Sequence, residues 1–173
     1  MQVVSGPIGR NRVHFEAPPA ARLEDEIARF LQWFESDSTD HPLVRAAIAH
    51  LWFVTLHPFE DGNGRVSRAI GDMVLSRHDK MPYRYYSVSA QLQAERDDYY
   101  DMLERTQRNG LDVTPWVSWF LGVLERAVHR SEAELETVLV KALFWQRVAS
   151  VPLTARQATA LNKVLDEFET PLT

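Results

Sequence analysis

The chain has 173 residues, 45% of them hydrophobic, with a net charge of −5, five tryptophans and no cysteine. That length suits one domain and the edge of another, burying roughly two-thirds of the unfolded surface. The acidic balance argues against a nucleic-acid footprint for this chain alone, though not against a small basic pocket, and the missing cysteines exclude a disulfide framework and thiolate metal sites. No signal-like start and no apolar run of about 18 residues is present, which predicts no membrane partner and a soluble, cytoplasmic protein.

Two short β-prone runs, Gln2–Val4 and Arg12–Phe15, flank the turn-rich stretch Ser5 to Asn11 and predict a hairpin. The chain begins abruptly on a strand, which suggests that Met1 is not the natural start. Leu23, Ile27, Phe30, Leu31 and Phe34 recur at helical spacing. Pro42 suits a helix first turn, and Leu43 to Leu56 is apolar on nearly all sides, the mark of a central helix. His50 interrupts it and reads as a core or boundary histidine. Further helices are expected over Val66–Arg77, ended by Asp79 to Pro82, and from about Ser89 to Asn109-Gly110. Another is capped by Thr114 with Pro115 behind it, and a separate run covers Ser131 to about Ser150. Leu153 to Gln157 looks like one more helix start, with Leu161, Val164, Leu165 and Phe168 as its stripe, before the chain ends at Pro171 to Thr173. The fold class is all-α with a small β-hairpin.

The densest chemistry lies in His57-Pro-Phe-Glu-Asp-Gly-Asn-Gly-Arg-Val-Ser-Arg68. Gly62 and Gly64 around Asn63 permit positive φ, so backbone N–H groups can converge. The helix that follows adds unpaired N–H groups and the positive end of its dipole, an anion hole suited to phosphates. Arg65 and Arg68 share a face and can grip phosphate oxygens. Asp61 is placed to hold Mg2+ beside a phosphate. His57 can take a proton near neutral pH. Phe59, among polar neighbours, is expected to point into the core.

These residues match the motif His-x-Phe-x-Asp/Glu-Gly-Asn-Gly-Arg-x-x-Arg at every fixed position, so the chain resembles the Fic family. Eight fixed positions would coincide by chance on the order of once in 10^10 starts. Leu51 to Arg68, Trp145 and Leu153 to Gln157 look like the bacterial Fic proteins that carry a C-terminal winged-helix domain. On that resemblance residues 1–150 are a Fic catalytic core with a hairpin flap. Residues 151–173 begin a truncated C-terminal region, so the chain is expected to be a core fragment.

The resemblance implies transfer of AMP from ATP to a Tyr, Thr or Ser hydroxyl of a target protein. It makes His57 the base and Asp61 the Mg2+ ligand, with Gly62, Asn63 and Gly64 as the anion hole and Arg65 and Arg68 on the phosphates. Kinase-like relatives carry Lys at the position of Gly64, so Gly64 favours nucleotidyl transfer. Tyr100 and Gln107, two turns apart, correspond to a Tyr and an Asn lining the adenine pocket in the family. The hairpin would clamp the target by strand pairing. Many relatives are silenced by a helix whose Glu-Gly or Glu-Asn pairs with the second arginine. No Glu here is followed by Gly or Asn, so the inhibitory segment is expected upstream or on a partner, with Arg68 free. The family and the aromatic content suggest a homodimer, with no sequence feature fixing its interface. Competing readings are removal of AMP or transfer of another nucleotide, and a regulatory nucleotide-binding module attached to a DNA-binding domain.

Overall fold

The helix α2, Pro42–Leu56, has the most neighbours to satisfy, because it is apolar all round. The computed structural model describes residues 2–5, 12–78 and 84–167. In chain order its elements are β1 (Gln2–Ser5), β2 (Arg12–Glu16), α1 (Ala20–Glu35), α2, α3 (Asn63–His78), α4 (Val88–Ala94), α5 (Arg96–Arg108), α6 (Thr114–Arg147) and α7 (Ala155–Glu167). The fold is all-α with one hairpin, as the patterning predicts. The expected turn at 6–11, the helix end at 79–82, Phe168 and the last three residues lie outside the described residues. The chain forms two compact units, Met1–Ala127 and Val128–Thr173, with α6 contributing to both.

In the first unit α2 starts on His41, whose ring nitrogen accepts the Leu43 N–H, with Pro42 in the first turn. Its residues Ala46, Ala47, Ala49, Phe53 and Leu56 are buried against α1, α3 and the first part of α6. Each fully buried Leu or Phe of this core stabilises the fold by about 1.5–3 kcal/mol. α3 packs closely on α2 at Gly71, where a Cβ would stand 3.7 Å from the Ala46 carbonyl and 3.8 Å from His50, in ordinary van der Waals contact. The Trp116 indole N–H donates to the Ala47 carbonyl across 2.8 Å and fixes α6 on the other side. Arg45, the other charged or titratable residue of α2 besides His50, donates to the carbonyls of Trp33 and Ser36 and caps the end of α1.

The strands pair antiparallel, Val3 opposite Phe15 and Ser5 opposite Arg12, with an irregularity between Val3 and Val4. β2 lies against α5.

Three expectations are corrected. The helix expected from Ser89 to Asn109 is two helices broken at Glu95 (φ −103°, ψ 36°). The Glu95 carboxylate is held by Arg126 through two bonds of 2.6 Å and by Gln91 at 2.6 Å, a pull from α6 that sequence spacing does not reveal. The two runs expected at 114–128 and 131–150 are one helix, since no Gly or Pro interrupts residues 123–147. Thr114 is the first helical residue rather than the cap: Val117 N–H bonds the Val113 carbonyl, and Asp112 accepts the Thr114 N–H.

In the second unit α7 opens on a reciprocal cap. Thr154 Oγ1 accepts from the Gln157 N–H, and Gln157 Oε1 accepts from the Thr154 N–H. Leu161 and Leu165 are half-buried while Val164 is exposed.

Candidate active site

The motif spans the corner between α2 and α3. His57 ends α2 in the left-handed region (φ 48°, ψ 54°), the one non-glycine residue there among the described residues. That position usually belongs to glycine, because a Cβ is strained in it. The turn swings the half-buried imidazole out of the helix, with Nδ1 3.4 Å from the Val54 carbonyl.

Asn63 builds the loop between. Its side chain is buried and clamps Phe59 twice: Oδ1 accepts the Phe59 N–H at 2.9 Å, and Nδ2 donates to the Phe59 carbonyl at 2.6 Å. Phe59 itself is 48% exposed, against the expectation that it points into the core. Its backbone is what fixes the loop, while its ring lies 6.2 Å from that of Phe53 at the surface.

Gly62 has φ 90°, a conformation that L side chains rarely adopt. Its N–H donates to Asp61 Oδ1 at 2.7 Å, while Asp61 Oδ2 pairs with Arg65 Nη2 at 2.8 Å. Both side chains of that pair are largely exposed. α3 therefore begins beneath a turn of positive backbone and arginine charge. Arg68 follows one turn later, beside Gly64, where a Cβ would stand 3.8 Å from Arg68 Nη1. Among the described residues no carboxylate pairs with Arg68. Nor do they hold a cluster of three or more His, Cys, Asp or Glu side chains that would cage a metal.

Behind this turn lies a group that motif spacing did not single out. Ser67, a variable position of the motif, is fully buried; its Oγ donates to the Gly64 carbonyl at 3.0 Å and lies 3.5 Å from His50 Nε2. The Tyr99 hydroxyl is 3.0 Å from the same nitrogen. Burial, aided by the charge of Arg68, lowers His50 to a pKa of about 3, so it is neutral, as its place in the apolar helix predicts. Burial pushes the Tyr99 hydroxyl up to about 12.

The two expected adenine residues are placed apart from this loop in different ways. Gln107 reaches it indirectly, its Nε2 donating to Thr55 Oγ1 at 3.0 Å, two residues before His57. Tyr100 is exposed and touches Tyr99, with the Arg96 guanidinium 5.6 Å from its ring centre.

The corner between α2 and α3 thus brings a histidine, a glycine turn and two arginines at a helix N-terminus into one short stretch of a helical unit. Residues 3–75 match the model of the Fic/DOC family. The chain belongs to that family. It is 34% identical over 114 residues to the protein adenylyltransferase Fic of Nematostella vectensis, covering 64% of this chain and 25% of that protein. It is 33% identical over 131 residues to the protein of the same name from Drosophila melanogaster, covering 73% of this chain and 25% of that one. The chain thus spans about a quarter of the length of the curated relatives it matches. Its fold is similar to that of a Fic family protein from Desulfovibrio desulfuricans G20, with a TM-score of 0.63 and 33% identity. That match covers 74% of this chain and 38% of the other. No helix among the described residues is long and apolar enough to cross a membrane.

Proposed function

We propose that this chain transfers AMP from ATP to a hydroxyl side chain of a target protein. The observation that carries the reading is the corner itself, where an imidazole on a left-handed cap ends α2 and, after the turn at Gly62, α3 begins at Asn63 and carries Arg65 and Arg68. The relatives named as protein adenylyltransferases support it.

ATP enters with its phosphates over the first turn of α3. The N–H groups there and the helix dipole meet the negative charge. Arg65 leaves Asp61 for a phosphate oxygen, and Arg68 takes the γ-phosphate. Asp61, exposed and then released, fits Mg2+, which favours one or two carboxylates plus phosphate oxygens. Bound there, Mg2+ supplies neutralisation of the phosphate charge.

The Val54 carbonyl facing Nδ1 favours the tautomer with its proton on Nδ1, leaving Nε2 to accept one. His57 Nε2 takes the proton of the target hydroxyl as its oxygen attacks the α-phosphorus. The new O–P bond forms in line with the breaking bond to the β-phosphate, and pyrophosphate leaves. Catalysis here is positioning and charge neutralisation. The hairpin β1–β2, lying against α5, is placed to hold the target segment in extended form. Tyr100 supplies an open aromatic face for the adenine, and Gln107, braced on Thr55, a polar group for it.

The test is incubation with ATP labelled at the α-phosphate, Mg2+ and a cell lysate, followed by detection of protein-bound label. Label that depends on His57 and is absent with γ-labelled ATP is expected. No transfer, or transfer unchanged by His57→Ala, rejects the reading. The lysate also yields the target, by mass spectrometry of the labelled protein.

A further inference from the structure

The three helices that carry the site meet in one buried polar node. His50 stands two turns before His57 on the same face of α2. Ser67 immediately precedes Arg68 on α3, and Tyr99 immediately precedes Tyr100 on α5. All three side chains are buried. The Tyr99 hydroxyl stands 3.0 Å and Ser67 Oγ 3.5 Å from His50 Nε2, and Ser67 donates to the Gly64 carbonyl at the start of α3. Aromatic rings close the node off: Trp116 and Phe120 lie 5.5 and 5.6 Å from the imidazole. Stability does not call for it, since apolar side chains of the same volume would avoid the cost of burying polar groups. What a satisfied polar network adds is a single, fixed register. α2 and α3 pack closely along their backbones, whereas the main close backbone neighbours of α5 are α4 and β2. The hold of α5 on α2 and α3 therefore runs through side chains. The bond from Gln107 to Thr55 is only half-buried, where water competes, while that from Tyr99 lies in the core.

We propose that His50, Ser67 and Tyr99 are positioning residues that hold α5 in register with the start of α3, so that one nucleotide can engage both helices. On the AMP-transfer reading, on which this rests, the phosphates lie over α3 and the adenine on Tyr100. ATP is then a two-ended ligand, and its ends bind together only while the helices keep the span between them. A slip of α5 leaves each half-site intact and costs the gain from joining them.

Calorimetric titration of the 173-residue chain with ATP and with inorganic tripolyphosphate, each with Mg2+, tests this. Tripolyphosphate meets α3 alone, so the parent binds ATP more tightly. Tyr99→Phe, one oxygen smaller, narrows that advantage roughly tenfold at a temperature well below its melt, with the helical circular dichroism unchanged. Ser67→Ala narrows it in the same way. The double variant loses no more than the worse single, because both break one node. An ATP advantage that survives both substitutions would make the node a matter of stability alone and overturns the proposal. Losses that multiply in the double variant overturn it too, as does a parent that binds the two ligands alike. Transfer of label from the α-phosphate is followed on the same preparations. A parent that transfers no AMP, yet loses its ATP advantage in the variants, rejects the catalytic reading and keeps the node.

Discussion

The Tyr99 hydroxyl lies 3.0 Å from Nε2 of His50, in the core and next to Ser67 of the helix that carries both arginines. His50 titrates near 6.5 unfolded and near 3 folded, because burial and then Arg68 disfavour its charge. Between those values the unfolded chain holds a proton that the folded chain does not. Stability therefore falls as pH drops from about 6.5 towards 3, by up to ~1.4 kcal/mol per pH unit from this group, and is unaffected by it above 6.5. Denaturant midpoints across this range should be flatter for His50→Gln than for the parent. Coincident slopes would mean that the ring is hydrated in solution. Tyr99→Phe, which leaves the buried nitrogen short of a partner, should cost about 1–3 kcal/mol at neutral pH.

Asn63 holds the loop through the two backbone groups of Phe59. Asn63→Ala removes both bonds and leaves the part-buried Phe59 N–H and carbonyl without that partner. A loss of about 1–3 kcal/mol in unfolding free energy is expected, with loss of AMP transfer beyond what the stability change explains. Asn63→Asp separates the two bonds: it can still accept from the Phe59 N–H but sets a carboxylate against the Phe59 carbonyl. It should be at least as damaging as alanine. A variant as stable and as active as the parent would show that the loop does not depend on the clamp.

Asp61 and Arg65 are bonded at 2.8 Å yet both largely exposed. Exposed pairs stabilise a fold little, about 0–1 kcal/mol. Arg65→Ala should therefore leave the melting curve almost unmoved. If Arg65 turns to a phosphate in the reaction, the same substitution lowers kcat/KM roughly 10- to 100-fold, the worth of a charge-assisted hydrogen bond. Melting and kinetics on one preparation decide between the readings: a large fall in stability with unchanged kinetics would make the pair structural.

Much of the site is legible in the sequence because its parts are local. The arginines three apart and the proline-started central helix are set by spacing, and the backbone follows that spacing at Gly62 and at Pro42, whereas Gly64 lies inside α3 without a positive φ. What spacing could not reveal are the contacts between distant segments. Glu95 leaves helical geometry because Arg126, thirty-one residues on, draws its carboxylate away. Ser67 occupies a variable motif position, and its neighbours His50 and Tyr99 come from other helices. Phe59 differs for a related reason: an aromatic side chain among polar neighbours points to the core, whereas the structure uses its N–H and carbonyl.

His57 occupies a backbone position made for glycine, and this separates its two roles. An L residue at φ 48° carries roughly 1 kcal/mol of strain, which glycine relieves at the cost of a freer unfolded chain. His57→Gly should thus leave the unfolding free energy unchanged or raise it by up to about 1 kcal/mol, although it deletes a whole side chain. His57→Ala keeps the strain without the ring and should be the less stable of the two. Both should abolish AMP transfer, since neither offers a base. Thermal melts of the two variants beside the labelled-ATP reaction read both properties at once. Lower stability for glycine than for alanine would mean that the imidazole packing outweighs the strain, and residual transfer in both would place the base on another residue.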